Sequence, residues 1–129
     1  AACQRLQITR LGILSPYTAE VSDRLRRVLS ENCIDTPVFG SFNEAREERV
    51  VRIAPQSIRA ACETLAPRGG IDALFLSCTN LRTLDLIEEL EARTGLPVLS
   101  SNQVIAWHML RLAGMTDAMP GFGRLFRDH

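Results

Sequence analysis

Ser77-Cys78-Thr79-Asn80 is a small polar knot set between two apolar stretches of this sequence. The cysteine has chemistry of its own. Its thiolate is a nucleophile and a proton acceptor, and a thiol tuned towards neutral pH suits general acid–base work. Before it runs Ile71-Asp72-Ala73-Leu74-Phe75-Leu76; after it Leu81, Leu84, Ile87 and Leu90 recur at helical spacing. A short apolar run reads as a strand buried on both faces of a parallel sheet. Cys78 is therefore expected at the sheet's carboxyl edge, where open α/β sheets bind ligands. It is also expected at a helix start, whose free N–H groups and positive dipole end attract anions and lower a thiol's pKa. The plainer reading is a small buried hydrophobe, the commonest fate of a free Cys. Thr79 and Asn80 pose the same choice, as donors to a substrate carboxylate or as caps of their own helix. Tyr17 offers a hydroxyl for a developing oxyanion, or simply a packed ring.

The elements that must position these residues follow a repeated strand–helix pattern. Residues 8–14 read as a first strand with Leu11, Ile13 and Leu14 as core. Ser15 as cap and Pro16 as first helical residue start a helix to about Asn32, with Val21, Leu25, Val28 and Leu29 on one face. A second strand spans 38–41, entered through Pro37. The polar segment 43–49 is long for a βα loop, and such loops at a sheet edge are often functional; Asn43, Arg46 and Glu47 lie in it. Residues 50–53 read as a short extended piece. Pro55 opens a helix with Ile58, Ala61, Cys62 and Leu65 on one face, and the segment 67–70 stops it. The central strand and its helix end at Gly95. Residues 96–100 form the fourth strand, Ser101 and Asn102 cap the last helix, and Gly114 closes it. The tail 120–126 folds back on two aromatic anchors, Phe122 and Phe126. Four such β-α units with right-handed crossovers give one α/β domain over residues 1–129. Its expected fold is a flavodoxin-like, four-stranded parallel sheet in the order 2-1-3-4 with helices on both faces. The switch point then falls between strands 1 and 3, which deliver Tyr17 and Cys78 to one crevice.

Composition narrows the functions open to this domain. The chain has 129 residues, enough for one domain with a real core. Fifteen acids balance fifteen bases, and every base is Arg. No basic stripe is present, which argues against nucleic acid and membrane surfaces as partners. No apolar run is long enough to span a bilayer, and no signal-peptide pattern is present. Cys3, Cys33, Cys62 and Cys78 lie far apart without a CxxC pair, and the two His cannot complete a zinc pattern with them. These features read as a reduced, cytoplasmic protein with free thiols. Cys33 and Cys62 are assigned to helix-face core, and His108, beside Trp107, to a structural role. The segment 1–6 reads as the last turns of a helix whose beginning is absent, hence as part of something longer.

The run from Asp72 to Asp85, with Ser77-Cys78-Thr79-Asn80-Leu81-Arg82-Thr83 at its centre, resembles the C-terminal cysteine motif of the aspartate/glutamate racemase superfamily. Within it the likeness is to the maleate isomerase and arylmalonate decarboxylase branch. Leu14-Ser15-Pro16-Tyr17-Thr18, Gly95-Leu96-Pro97-Val98-Leu99-Ser100-Ser101-Asn102-Gln103, Trp107 and Leu112-Ala113-Gly114 fit the same branch. The segment 41–43 and the tail Gly121-Phe122-Gly123-Arg124-Leu125-Phe126 look most like the maleate-isomerase-like proteins found with ectoine utilisation. The resemblance implies one half of a protein built from two similar α/β halves, with its active site in the cleft between them. It implies Cys78 as the thiol that gives or takes a proton at carbon, and Tyr17, Thr79 and Asn80 as holders of a small carboxylate substrate. It implies no metal and no organic cofactor. Maleate isomerases tend to carry Asn where this chain has Glu47, and an acid there repels a second carboxylate. The expected reaction is cofactor-independent isomerisation of a small (di)carboxylate; arylmalonate-type decarboxylation and amino-acid racemisation are the alternatives within the family. A non-catalytic flavodoxin-like ligand-binding module with an inert Cys78 is the alternative outside it. A lone half would expose apolar surface and self-associate.

Overall fold

The structure is a computed structural model that describes residues 1–129. Strands β1 (Arg10–Ser15), β2 (Asp35–Ser41), β3 (Ala73–Leu76) and β4 (Val98–Ser100) form one parallel sheet in the order β2-β1-β3-β4, the order expected from the sequence. Successive side chains on a strand point to opposite faces. Leu14, Leu74, Leu76 and Val98 therefore enter one core, while Leu11, Ile13, Ala73 and Leu99 enter another. Leu74 and Leu76 are fully enclosed, worth about 1.5–3 kcal/mol each. A one-residue slip of β3 would exchange its two faces, so register is fixed by these side chains.

Helices cover both faces. α4 (Pro55–Leu65) and α5 (Ile87–Thr94) close the first core through Ile58, Cys62, Leu65, Ile87 and Leu90. α1 (Ala2–Arg5), α2 (Ala19–Glu31), α6 (Ser101–Leu112) and α7 (Arg124–Asp128) lie over the second. Pro55 opens α4 at its first turn, and Gly95 ends α5 in a left-handed conformation, φ 73°. The second face is covered more loosely: Val21 and Val28 of α2 and Ile105, Met109 and Leu112 of α6 stay exposed. The tail folds back as expected, although only Phe126 is buried; Phe122 stays exposed beside it. Glu91 holds the tail from below. Its buried carboxylate accepts the Val98 N–H at 3.0 Å and the Arg124 N–H at 2.9 Å. Gly123 passes so close to Ile87 that a Cβ would stand 2.5 Å from its Cγ2.

Several local expectations are corrected. Ser15 does not cap a helix: it ends β1, fully buried, and α2 begins only at Ala19. Its hydroxyl instead accepts the Tyr17 N–H at 3.1 Å and the Ser22 hydroxyl at 3.2 Å. Pro37 lies inside β2, which tolerates it because β2 is an edge strand. Residues 50–53 are not extended; Val50 closes the one-turn helix α3 (Glu47–Val50) and is buried. Cys33 is not core: it follows the end of α2 with φ 61° and is exposed, whereas Cys62 is buried as assigned. Cys3 lies in α1, partly buried. The cap of α6 is Ser100, in a capping box with Gln103, rather than Ser101 or Asn102.

Candidate active site

β1 and β3 are neighbours, and their carboxyl ends carry the two residues of interest to the same edge of the sheet. The Ser77 N–H still bonds the Leu14 carbonyl at 2.9 Å. Cys78 lies just past the end of β3, and Tyr17 just past the end of β1. The Tyr17 ring packs against the first core, and its hydroxyl is close enough to the Cys78 thiol to interact with it. The backbone at Tyr17 is fixed twice. Its N–H bonds Ser15, and its carbonyl accepts the Ser41 hydroxyl from the end of β2. Ser41 in turn accepts the Asn43 N–H at 2.8 Å, which shapes the start of the loop after β2.

The loop after β3 departs from the expected helix. A 3₁₀ turn comes only at Leu84–Leu86, and α5 starts at Ile87. Cys78 therefore does not sit on a helix N-terminus, and the helix dipole drops out of its surroundings. What replaces it is individual donors. The Asn80 N–H points back at the Cys78 sulfur, 3.2 Å away. The backbone N–H groups of Thr79, Leu81, Arg82 and Thr83 have no partner within the chain. Thr83 is buried, and its Oγ1 is also without a partner. These residues border a cavity of about 240 Å³, whose walls run from Thr79 to Asp85 and include Asn102. Cys78 and Tyr17 are not among the residues that line it; Cys78 is 3% exposed.

Two side-chain bonds pin the loop. Asn102, from the first turn of α6, donates its amide to the Thr79 carbonyl at 2.9 Å. The Asn80 amide donates to Glu47 Oε2 at 2.7 Å, bringing α3 to the thiol's loop. Asn80 thus spends its N–H on sulfur and its side chain on Glu47, while the Thr79 N–H stays open. Tyr17 feels all of this. Burial pushes its hydroxyl well above the ordinary phenol range, and the Cys78 thiol and the Glu47 charge push the same way.

Tyr17, Cys78, Thr79 and Asn80 stand together at one edge of the sheet, as expected from the sequence. Thr83 is not among the expected site residues, and Asn102, expected as a cap, bonds the loop instead. The signal for Asn102 was present: Ser100 and Gln103 have the S-x-x-Q spacing of a capping box, which leaves Asn102 free for another partner. Nothing in the sequence marks the Thr83 hydroxyl as buried. No cluster of three His, Cys, Asp or Glu side chains is placed to hold a metal ion, and no helix is long and apolar enough to cross a membrane.

The same architecture occurs in known proteins. Arylmalonate decarboxylase of Bordetella bronchiseptica is 33% identical over 125 residues, covering 95% of this chain and 52% of that protein. Maleate isomerase of Nocardia farcinica is 28% identical over 124 residues, covering 95% and 49%. The chain spans about half the length of the curated relatives it matches. Among solved structures, a crystal structure of arylmalonate decarboxylase superposes with a TM-score of 0.88 at 31% identity, covering 99% of this chain and 57% of that one. The Nocardia farcinica maleate cis-trans isomerase, as a cysteine-to-serine variant with a covalently bound succinylcysteine intermediate, superposes at 0.93 with 26% identity, covering 99% and 52%. A sequence profile described as arylmalonate decarboxylase matches residues 1–126. The chain belongs to the arylmalonate decarboxylase family.

Proposed function

We propose that these 129 residues form one half of a cofactor-independent enzyme that isomerises a small carboxylate, with Cys78 as the group that gives or takes a proton at carbon. The observation that carries this reading is the Asn80 N–H at the Cys78 sulfur, with the Tyr17 hydroxyl close enough to interact with the thiol, beside a loop with free N–H groups. Proton transfer next to a carboxylate creates an enediolate-like charge. Fixed donors in a pocket shielded from water stabilise such charge better than water does. The open N–H groups of Thr79 and its neighbours seat the substrate carboxylate, and Thr83 adds a hydroxyl to that seat. The Asn80 N–H holds the sulfur in place. Tyr17, kept protonated by its surroundings, donates to the developing oxyanion.

The opposite wall of the cleft belongs to a second α/β half. The exposed apolar positions on α2 and α6 suit cover by such a half, and the isolated 129 residues are expected to self-associate through them. A relative's succinylcysteine intermediate favours an isomerase in which a second cysteine, from the other half, adds to the substrate. Decarboxylation of an arylmalonate is the second reading, favoured by the higher identity to the decarboxylase than to the isomerase. The four free cysteines suit a reducing compartment, the cytoplasm. A link to ectoine utilisation rests on the segments 41–43 and 121–126 alone.

The test is turnover of maleate, of phenylmalonate and, by racemisation, of D- and L-alanine by the protein with both halves, against Cys78→Ser. The expected result is turnover of one of them, abolished by the substitution while the thermal unfolding midpoint is unchanged. Undiminished turnover by Cys78→Ser overturns the assignment of the thiol.

A further inference from the structure

Glu47 is the acid of the loop after β2 that its neighbours do not neutralise. Glu44 pairs with Arg49 at 3.7 Å and Glu48 with Arg46 at 3.6 Å, whereas Glu47 is in no ion pair. The sole hydrogen bond to its carboxylate is the one from the Asn80 amide, 2.7 Å from Oε2. Asn80 is also the residue whose N–H touches the Cys78 sulfur, so a single residue bridges the carboxylate and the thiol. A neutral amide leaves the carboxylate's charge in place. The charges on the adjoining cavity wall, Arg82 and Asp85, offset each other. Glu47 therefore leaves the site with a net negative charge next to the reacting thiol.

We propose that Glu47 is a specificity-determining residue that selects a substrate with an ammonium group where a dicarboxylate would place its second carboxylate. This rests on the carboxylate seat described under the proposed function. One substrate carboxylate occupies the uncharged N–H groups of the loop at Thr79, and the other end of the molecule meets Glu47. A second carboxylate there is repelled and left without a donor. An ammonium group there gains a charge-assisted hydrogen bond, and Asn80 keeps the acceptor aimed. The effect of the Glu47 charge already registers on the Tyr17 hydroxyl, which it helps to hold in the protonated form.

The experiment uses two probes of matched size: succinate, and β-alanine, which has an ammonium group in place of one succinate carboxylate. Calorimetric dissociation constants are measured on the protein with both halves, for the natural sequence, Glu47→Gln and Glu48→Gln. Glu47 is exposed, and Gln preserves the acceptor for Asn80, so the variant keeps the loop. The natural protein is expected to bind β-alanine more tightly than succinate. Glu47→Gln is expected to weaken β-alanine and tighten succinate by about tenfold each, a swing of about a hundredfold in their ratio. Glu48→Gln is expected to leave the ratio unchanged. Equal binding of both probes, unaltered by Glu47→Gln, overturns the role of Glu47 and leaves the carboxylate seat standing. Binding of neither probe to any of the three proteins overturns the seat and this inference together.

Discussion

Tyr17→Phe separates chemistry from packing at this site. The substitution removes one oxygen and leaves the ring that packs on the first core. The lost hydroxyl is close enough to interact with the Cys78 thiol, where the proposed reaction develops negative charge. Removing one donor to such a charge costs about 2.7–4 kcal/mol, about 10²–10³ in kcat. Two features of the structure place this site at the lower end. Tyr17 is only partly buried, so water can replace part of its donation. The Asn80 N–H, 3.2 Å from the sulfur, remains in place. The expected loss is therefore about a hundredfold in kcat. KM should change little, because the hydroxyl interacts more strongly with the transition state than with bound substrate. The pH dependence adds a second readout. Burial, then the thiol, then Glu47 raise the phenol's pKa, so the natural enzyme should lose no activity from Tyr17 ionisation around the reference value of about 10. Steady-state kinetics on the protein with both halves, with thermal unfolding as the control for folding, make the measurement. A fall in kcat of less than about threefold with an unchanged melting temperature would refute the reasoning, since one useful donor to a developing charge is worth more than that.

Two further outcomes follow from buried groups elsewhere. Burial holds the Glu91 carboxyl above the ordinary carboxylate range, against the lowering effect of its hydrogen bonds to Val98 and Arg124. The fold thus favours the protonated form. The contribution is complete below the unfolded value of about 4.3 and is lost as pH rises through the higher folded value. Glu91→Ala should flatten that slope and, by leaving two N–H groups unpaired, cost about 1–3 kcal/mol for each, read by urea unfolding between about pH 4 and 7; a slope the substitution leaves unchanged would refute it. The cysteines differ in access. Cys62 is enclosed and its thiol is pushed up to about 12 by burial, with the Glu63 charge adding to it, while Cys33 is exposed. Iodoacetamide at about pH 8 should therefore label Cys33 and leave Cys62 unmodified in the native protein, as followed by peptide mass spectrometry; labelling of Cys62 at the rate of Cys33 would contradict the enclosed core.

Much of the fold was legible because the sheet is parallel and buried. Apolar runs at 71–76 and 96–100, each flanked by a turn signal and a helix pattern, leave few topologies once crossovers are right-handed. The flavodoxin-like order among them brings Tyr17 and Cys78 to a shared edge. Individual helix starts were harder, because Ser and Thr signal more than one structure. Ser15 has the look of a cap before Pro16, yet it fits the buried end of β1 and uses its hydroxyl on the Tyr17 N–H and Ser22. Cys33 continues the apolar periodicity of α2, yet the helix has ended and the chain turns through a positive φ to reach β2. The contact of Glu47 with Asn80 joins residues 33 positions apart, and no local pattern encodes it.

The segment after Cys78 shows why the remaining error matters for function. Leu81, Leu84, Ile87 and Leu90 have the spacing of one helical face, but Leu81 and Ile87 are buried while Leu84 is 38% exposed. A helix begun at Thr79 would have put Leu84 on the same face as the other two. Asn80 instead spends its side chain on a bond that competes with helix formation, and two loop bonds secure the alternative, Asn80 to Glu47 and Asn102 to Thr79. The consequence is that the proposed anion seat is made of separate N–H groups and a buried Thr83 hydroxyl rather than of a helix terminus. Such a seat has no dipole of its own and depends on the loop's shape. Its geometry therefore hangs on residues from β2's loop and from α6, elements that never touch the substrate's reacting carbon in the proposed reaction. Glu47 anchors the loop that aims the Asn80 N–H at sulfur, and in the proposed reaction it also sets the charge that a substrate meets there.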